Sequence, residues 1–491
     1  MSVDFEVGIV GAGFGGLIAA LELRGSGHNS FVIFERSTEV GGVWRENIYP
    51  GCACDVRTHL YSIASQPNPQ WSSSYATQPE ILNYLKDVVL RNDLQNHIRF
   101  ETAIQEIKFL DNEGIWQVTD NKGGRHRLKV IILATGPHSR PSLPSIPGLE
   151  NFQGRVFHSS AWDVSIDLVG KKVAVIGTGA SAIQIVPNIA SKVTHLTVFQ
   201  RTPAWIISRN DRDITFVERW LFQHLPWTQV FARGLIYWLM ELVGLAFLGN
   251  DLISRVLTKI ALAKLRREIR DPLVRSKLTP NYTIGCKRIL VSDDFYPAFN
   301  RPNVELVTDN ISEIKPTGIL TRAGRLHEAD YIVFATGFIV ADPDNYLRVL
   351  GKGGRVLTAE WEKYGTQAYL GITVAGFPNM TLLLGPNSGL SHSSALHVME
   401  SQMKYIAMYL AECMKAGDKA FLDVKPEVQD LYNAQLQDRL TGTVWNSGCK
   451  SWYLDRNGVN TTIFPGLTNR YRRLTAAFDI EDYLVIDQQK Y

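Results

Sequence analysis

The sequence predicts an α/β fold of two Rossmann-like dinucleotide-binding domains carrying a helical insertion. Three observations predict it. A glycine-rich turn follows an apolar run at Gly11, a second follows another such run at Gly177, and the alternation of strand-like and helix-like segments breaks between residues 210 and 285. At 491 residues the chain is also too long for one ordinary core. The expected division is 1–140 with 370–491 as the first domain, 141–209 with 286–369 as the second, and 210–285 as the insertion.

Phe5 to Val10 is the first strand, leading into Gly11-Ala-Gly-Phe-Gly-Gly16 and a helical pattern through Leu17, Ala20, Leu21 and Leu23. Gly11 permits the turn, Gly13 lets backbone approach a pyrophosphate, and Gly16 lets helix pack on strand, with the helix amino end toward the phosphates. A second strand, Phe31 to Phe34, ends in Glu35, 24 residues beyond Gly11, where a carboxylate accepts hydrogen bonds from a ribose 2′-hydroxyl. The stretch from Gly41 to Asp55 is too rich in Gly, Trp and Pro for helix or strand. It reads as a structured surface loop or as a lid over a cofactor ring, with Trp44 in it and Asp55 the only carboxylate of its last nine residues. A helix is expected from Gln78 to Leu90, and mixed strands from Ile98 to Val118. The buried strand Lys129 to Leu133 stops at Ala-Thr-Gly136, and prolines 137, 141, 144 and 147 then form a stiff linker at a domain boundary.

The second unit opens with Lys172 to Ile176 and the turn Gly177-Thr-Gly179-Ala-Ser-Ala182. Its next strand, His195 to Phe199, ends in Gln200-Arg201-Thr202 instead of an acid. A carboxylate there would repel a 2′-phosphate, whereas Arg201 binds one with paired hydrogen bonds, so NADP is favoured over NAD. Tyr331 to Gly337 repeats the Ala-Thr-Gly strand end, and a long helix from about Ser393 to Lys415 is expected to complete the first domain. Between the two halves of this unit, Val230 to Gly249 is 20 residues long and mostly apolar, but Arg233 and Glu241 would cost about 5 to 7 kcal/mol in a membrane span. Arg233, Tyr237 and Glu241 lie four apart on one helical face. A buried helix with a polar edge is favoured over one in contact with a membrane surface, which stays open as the second reading.

Composition excludes other classes. The 51 Lys and Arg nearly balance 48 Asp and Glu, without a basic block, so no nucleic-acid partner is expected. No metal site is expected either. The amino terminus is acidic and runs straight into a strand, and the five cysteines are odd in number, with Cys52 and Cys54 too close for Cys-x-x-Cys. Free thiols, no disulfide framework and a cytoplasmic location follow.

A first unit with a ribose acid and a second with Arg201 describe a flavoprotein that takes hydride from NADPH. Between the two lies Phe152-Gln-Gly-Arg-Val-Phe-His-Ser-Ser-Ala-Trp-Asp163. This stretch resembles the fingerprint of the type I Baeyer-Villiger monooxygenases through Phe152, Gly154, His158, Trp162 and Asp163. Gly42, Trp44, Tyr49, Pro50, Gly51 and Asp55 match the family's second pattern. The resemblance implies an FAD-containing, NADPH-dependent enzyme that inserts one atom of O2 beside a ketone carbonyl, through a C4a-peroxyflavin, to give an ester or lactone. It further implies Arg288 as the active-site arginine with Asp55 as its carboxylate partner, and Lys287, Arg201 and Thr202 as the group holding the 2′-phosphate. Trp452 resembles a mobile tryptophan near substrate and nicotinamide, and His158 a hinge residue. Pro137-His138 and the tail after Trp452 are closer to the aryl- and open-chain-ketone branch than to cyclohexanone-type enzymes. Two other functions compete. One is an N- or S-oxygenating flavin monooxygenase, with sulfide as an additional substrate; the other is a non-catalytic flavin-binding protein on a membrane surface.

Overall fold

The computed structural model describes residues 3–342, 347–417 and 419–487. Strands β1 (Phe5–Val10), β2 (Phe31–Phe34), β3 (Ile98–Arg99), β4 (Ile104–Leu110), β5 (Ile115–Asp120) and β6 (Arg125–Leu133) lie in the first sheet in the spatial order β4-β5-β6-β1-β2-β3, and two short parallel strands from later in the chain complete it, Val349–Leu350 beside β4 and Met380–Leu382 beside β6. β6, β1, β2 and β3 run parallel, in a register that sets Val7 beside both Phe31 and Val130. The second sheet contains β7 (Arg155–His158), β8 (Lys172–Ile176), β9 (His195–Phe199), β10 (Val304–Val307) and β11 (Tyr331–Phe334), ordered β10-β9-β8-β11-β7 and wholly parallel. Both sheets have covered faces, which is why their inner strands are near-continuous runs of Val, Ile and Leu instead of alternating ones. Helix α1 (Phe14–Gly25) follows β1, and α2 (Ala182–Ile189) follows β8.

The chain passes between the sheets twice, after β6 and after β11, and the two crossings lie side by side. The Ser142 N–H donates to the Gly337 carbonyl at 2.9 Å, and the Ile339 N–H donates to the Arg140 carbonyl at 3.0 Å. The twelve-residue fingerprint is found here as structure: Gly154 leads into β7, the edge strand of the second sheet, which pairs Phe334 with His158.

The insertion contributes α3 (Phe216–His224), α4 (Pro226–Gly244) and α5 (Asp251–Glu268). Among the described residues no helix is long and apolar enough to cross a membrane. The expectation of a buried helix is corrected, because α4 turns its polar edge inward and its apolar side out. Partner chemistry explains the reversal. Arg233 Nη1 donates to the His59 and Ser62 carbonyls at 2.8 Å each, and Glu241 accepts from the Thr468 and Asn469 N–H groups at 3.0 and 3.1 Å. Satisfying these charges internally outweighs burial of apolar side chains, since an unpaired buried charge costs several kcal/mol.

Helix α6 (Ala395–Lys415), capped by Ser394, packs on α1 and closes the first unit. Beside it, Asp423 is 5% exposed, and burial pushes its carboxyl up to about 6 although the Gly376 N–H donates to it at 2.9 Å. The unfolded carboxyl titrates near 3.9, so stability falls as pH rises from about 4 to 6 and the penalty then stays constant. Asp423→Asn should therefore raise unfolding free energy by roughly 3 kcal/mol at pH 8 and hardly at all at pH 4. Denaturant titrations at the two pH values measure this.

The expectation of five free thiols is also corrected. Cys286 and Cys449 form a disulfide, with Cα atoms 6.2 Å apart and a sequence separation of 163, whereas Cys52, Cys54 and Cys413 are free and buried. The fold decides this, because it lays the loop before Trp452 on the strand end that carries Lys287 and Arg288. Denatured without reductant, the chain should titrate three thiols, and after reduction five; five in both conditions would exclude the bond.

Candidate active site

The carboxyl ends of the central strands of both sheets open onto one cavity of about 1540 Å³. That exceeds the roughly 300–1,000 Å³ usual for one small ligand. The same construction shapes both ends of the cavity. The Gly11 N–H donates to the Phe34 carbonyl and the Gly177 N–H to the Phe199 carbonyl; Ala134 and Ala335 tie to Val10 and Ile176 in the same way. Gly11 and Gly177 have φ of 105° and 117°, and a Cβ would sit 2.7 Å from the Ala134 oxygen in one and 2.4 Å from the Ala335 oxygen in the other. Only glycine makes this turn. Gly16 is equally constrained, since its Cβ would lie 1.9 Å from the Gly11 oxygen, and Ala182 is fully buried at the matching place on α2.

Between these turns Arg288 grips Asp55. Nε donates to Oδ2 at 2.7 Å and Nη2 to Oδ1 at 2.8 Å, a two-pronged pair with both side chains 28% exposed, and both residues line the cavity. Burial alone would raise the Asp55 carboxyl, but the Arg288 charge and hydrogen bonds, with Arg209 behind them, hold it below the usual carboxylate range. The Asp55 charge in turn keeps Arg288 protonated against burial. The pair therefore persists over the whole neutral range. Parallel pairing of Leu290–Val291 with Ile206–Ile207 fixes the segment carrying Arg288. Gln184 of α2 fixes the loop carrying Asp55 by accepting from the Tyr49 hydroxyl at 3.0 Å and donating to the Ala53 carbonyl at 2.9 Å.

Comparison with known proteins places this arrangement. The flavin-binding monooxygenase-like family model matches residues 5–347. A Baeyer-Villiger monooxygenase of Streptomyces coelicolor is 45% identical over 482 residues, covering 98% of this chain and 92% of that protein. The chain belongs to the Baeyer-Villiger monooxygenases. Among solved structures, cyclohexanone monooxygenase from Rhodococcus sp. Phi1 bound to NADP+ superposes with a TM-score of 0.88 at 28% identity, covering 99% of this chain and 100% of the other. The OTEMO complex with FAD and NADP does so with a TM-score of 0.88 at 25% identity and the same coverage.

The residues present fit the family's two dinucleotides. Neither α1 nor α2 has a side-chain cap, so the N–H groups of their first turns find no side-chain acceptor among the described residues. A Cβ on Gly179 would meet nothing within 4 Å, so backbone there is open to a ligand, and Ser393 Oγ is a buried cavity-lining atom without a partner among the described residues. Glu35 accepts from the Ala12 and Ser37 N–H groups at 2.7 and 2.8 Å, holding the first turn while retaining lone pairs for a ribose hydroxyl. Trp44 Nε1 donates to the Tyr61 hydroxyl at 3.0 Å, which fixes the indole on the cavity wall. At the other end, burial and the neighbouring Arg201 charge push the Lys287 ammonium below its ordinary value. The two cations are thus close together, and neither has a carboxylate partner among the described residues. The Thr202 carbonyl accepts from Thr178 Oγ1 at 3.2 Å, tying this strand end to the second turn.

The fingerprint residues lie away from the Arg288–Asp55 pair. Phe152 packs on the second sheet, and Trp162 is buried edge-on against Phe157 at 5.0 Å. Asp163 accepts from the Ser165 N–H and pairs with Arg155 at 3.2 Å on the surface. His158 is buried beneath the second crossing, its ring 5.5 Å from Phe338; Phe338 is 5.5 Å from His138, which is 5.8 Å from Trp452. An unbroken row of rings therefore runs from the edge strand to the mouth of the cavity. Sequence reasoning passed over Phe338, Gln184, Tyr61 and Arg209. The only signal for Phe338 was its place directly after the second Ala-Thr-Gly. Burial and the Arg288 charge push His138 down to about 4, so it is neutral at working pH.

Proposed function

We propose that the chain converts open-chain or aryl ketones to esters, with Arg288 and Asp55 as its oxygen-transfer machinery. The two-pronged Arg288–Asp55 pair, facing a cavity between two dinucleotide turns, carries this reading. The enzyme is an FAD- and NADPH-dependent monooxygenase acting on a ketone and O2. Residues 1–140 with 370–491 are the FAD domain expected from the sequence, 141–209 with 286–369 the NADP domain and 210–285 the insertion; we move the return to the FAD domain from 370 to about 340, because Val349–Leu350 pairs with β4 and Leu357, Trp361 and Ala368 pack in the core of the first sheet. Gly11, Gly13, Gly16, Glu35 and Trp44 hold FAD, while Gly177, Gly179, Ala182, Arg201, Thr202 and Lys287 hold NADPH.

Bound FAD, reduced by NADPH, supplies the activation of dioxygen. The chain supplies the electrostatics. As oxygen adds to the ketone, negative charge collects on the former carbonyl oxygen, and the Arg288 guanidinium, fixed by Asp55, stabilises it without reorganising. Arginine suits this role because it stays protonated and cannot quench an anionic oxidant by giving up a proton. Trp452, 38% exposed at the mouth, and neutral His138 add an apolar wall that holds substrate and sheds water. Phe152, Gly154, His158, Trp162 and Asp163 act as the joint between the two domains, the ring row linking their motion to Trp452.

Dependence on NADPH supports the cytoplasmic location, against which the Cys286–Cys449 bond weighs. Incubation with NADPH, oxygen and a panel of linear, cyclic and aryl ketones plus one sulfide tests the reading. Esters from linear or aryl ketones, without hydrogen peroxide release, are expected. Oxidation of the sulfide alone would favour the heteroatom-oxygenating alternative, and hydrogen peroxide alone would count against linear and aryl ketones as substrates.

A further inference from the structure

The inverted helix α4 leaves an apolar face on the outside of the molecule. Trp227, Phe231, Leu235 and Trp238 are between 61% and 69% exposed, while Gln229, Tyr237 and Glu241 on the opposite side are buried. Helix α3, packed on α4, adds Phe216 and Val217, 75% and 63% exposed. Ser254 Oγ donates to the Ala246 carbonyl at 3.0 Å and ties the first turn of α5 to the end of α4. Leu252, Val256 and Ile260 recur every four residues along α5 and are also exposed. Monomeric soluble proteins rarely expose so many large apolar side chains on adjoining helices without a partner.

Charge identifies that partner. Residues 210–285 carry eleven Lys and Arg against seven Asp and Glu, an excess of four where the whole chain has three. Arg255, Lys259 and Arg266 form an exposed row beside the apolar row of α5, and none has a carboxylate partner among the described residues. The acids nearby are spoken for: Glu218 by Arg212 and Thr215, Glu268 by Lys264 and Arg267, and Glu241 by His392 and the chain at Thr468. Asp251, at the amino end of α5, and Asp213, just before α3, are the exceptions. Two copies of the chain meeting through this face would set Arg255 and Lys259 against their own images. An anionic surface would neutralise them, and the exposed rings of Trp220, Trp227 and Trp238 suit the boundary between headgroups and acyl chains.

We propose that α3, α4 and α5 form a docking face for the surface of a bilayer containing anionic phospholipid. The helices lie on the bilayer instead of crossing it. The cavity wall stands directly behind them: His392 and His397 contact Glu241 and Tyr237 of α4, and Leu390, Ser393 and Met399 from the same segment line the cavity.

Sedimentation of the FAD-loaded full chain with phosphatidylcholine vesicles, with and without phosphatidylglycerol, tests this. The protein should pellet with the phosphatidylglycerol vesicles, less so in high salt, with a blue shift of tryptophan emission. The double substitution Arg255→Gln, Lys259→Gln should weaken binding roughly thirtyfold. The triple substitution Trp227→Ser, Phe231→Ser, Trp238→Ser should abolish it. Both variants should oxidise NADPH in solution at the wild-type rate, which verifies that they are folded and separates this outcome from failure of the Baeyer-Villiger reading. Wild-type protein left in the supernatant with anionic vesicles, or variants that pellet as wild type does, would overturn the proposal. So would a wild-type dimer in sedimentation velocity that the triple substitution makes monomeric, since a second copy would then be the occupant.

Discussion

Arg288→Ala should keep its flavin, still oxidise NADPH and make ester at least roughly 10³-fold more slowly than wild type. The magnitude follows from losing a preorganised donor that also carries full charge, where a single neutral oxyanion donor is worth about 10²–10³. The substitution strands Asp55, whose carboxyl sits low because of Arg288, so its pKa should rise. Arg288→Lys restores charge without the two-pronged grip on Asp55 and should recover only part of the rate. Asp55→Ala should lose less than Arg288→Ala, because it removes the positioning group and leaves the cation. Ester yield, with hydrogen peroxide release measured in parallel, distinguishes lost oxygen transfer from lost reduction. Wild-type ester formation by Arg288→Ala would end the assignment.

Arg201→Ala should raise the KM for NADPH about tenfold to a hundredfold and leave that for NADH almost unchanged. A charge-assisted hydrogen bond to phosphate is worth about 1.5–3 kcal/mol, and the loss appears only when the 2′-phosphate is present. Lys287→Ala should act in the same direction. The pair should be less than additive, because each cation destabilises the other in the empty site, as the lowered Lys287 shows. Equal losses with both nicotinamides would mean that these cations support the fold instead of reading the phosphate.

Much of the scaffold was legible because its determinants are local. The turns at Gly11 and Gly177 need left-handed backbone that glycine alone adopts without strain, and the flanking strands need uninterrupted apolar runs, so each unit is written in about 30 consecutive residues. Helix α6 ends at Lys415 as expected, with Ser394 as its cap. The Arg288–Asp55 pair was legible only through family resemblance, because its members stand 233 residues apart and no spacing rule joins them. The disulfide was missed for the same reason, since parity and local spacing of cysteines are silent about partners 163 residues apart.

Helix α4 divides the two kinds of information most clearly. Its sequence determined that it is helical and amphipathic, with Arg233, Tyr237 and Glu241 on one face. Which face looks inward was decided by the tertiary structure, through the Ser62 carbonyl, His392 and the N–H groups at Thr468 that stand ready for those charges. Periodicity records only the relative angles of side chains around an axis. The direction of that axis against the core depends on contacts that long-range folding creates, so the sequence alone determined the units and their turns, and the tertiary structure decided what they face.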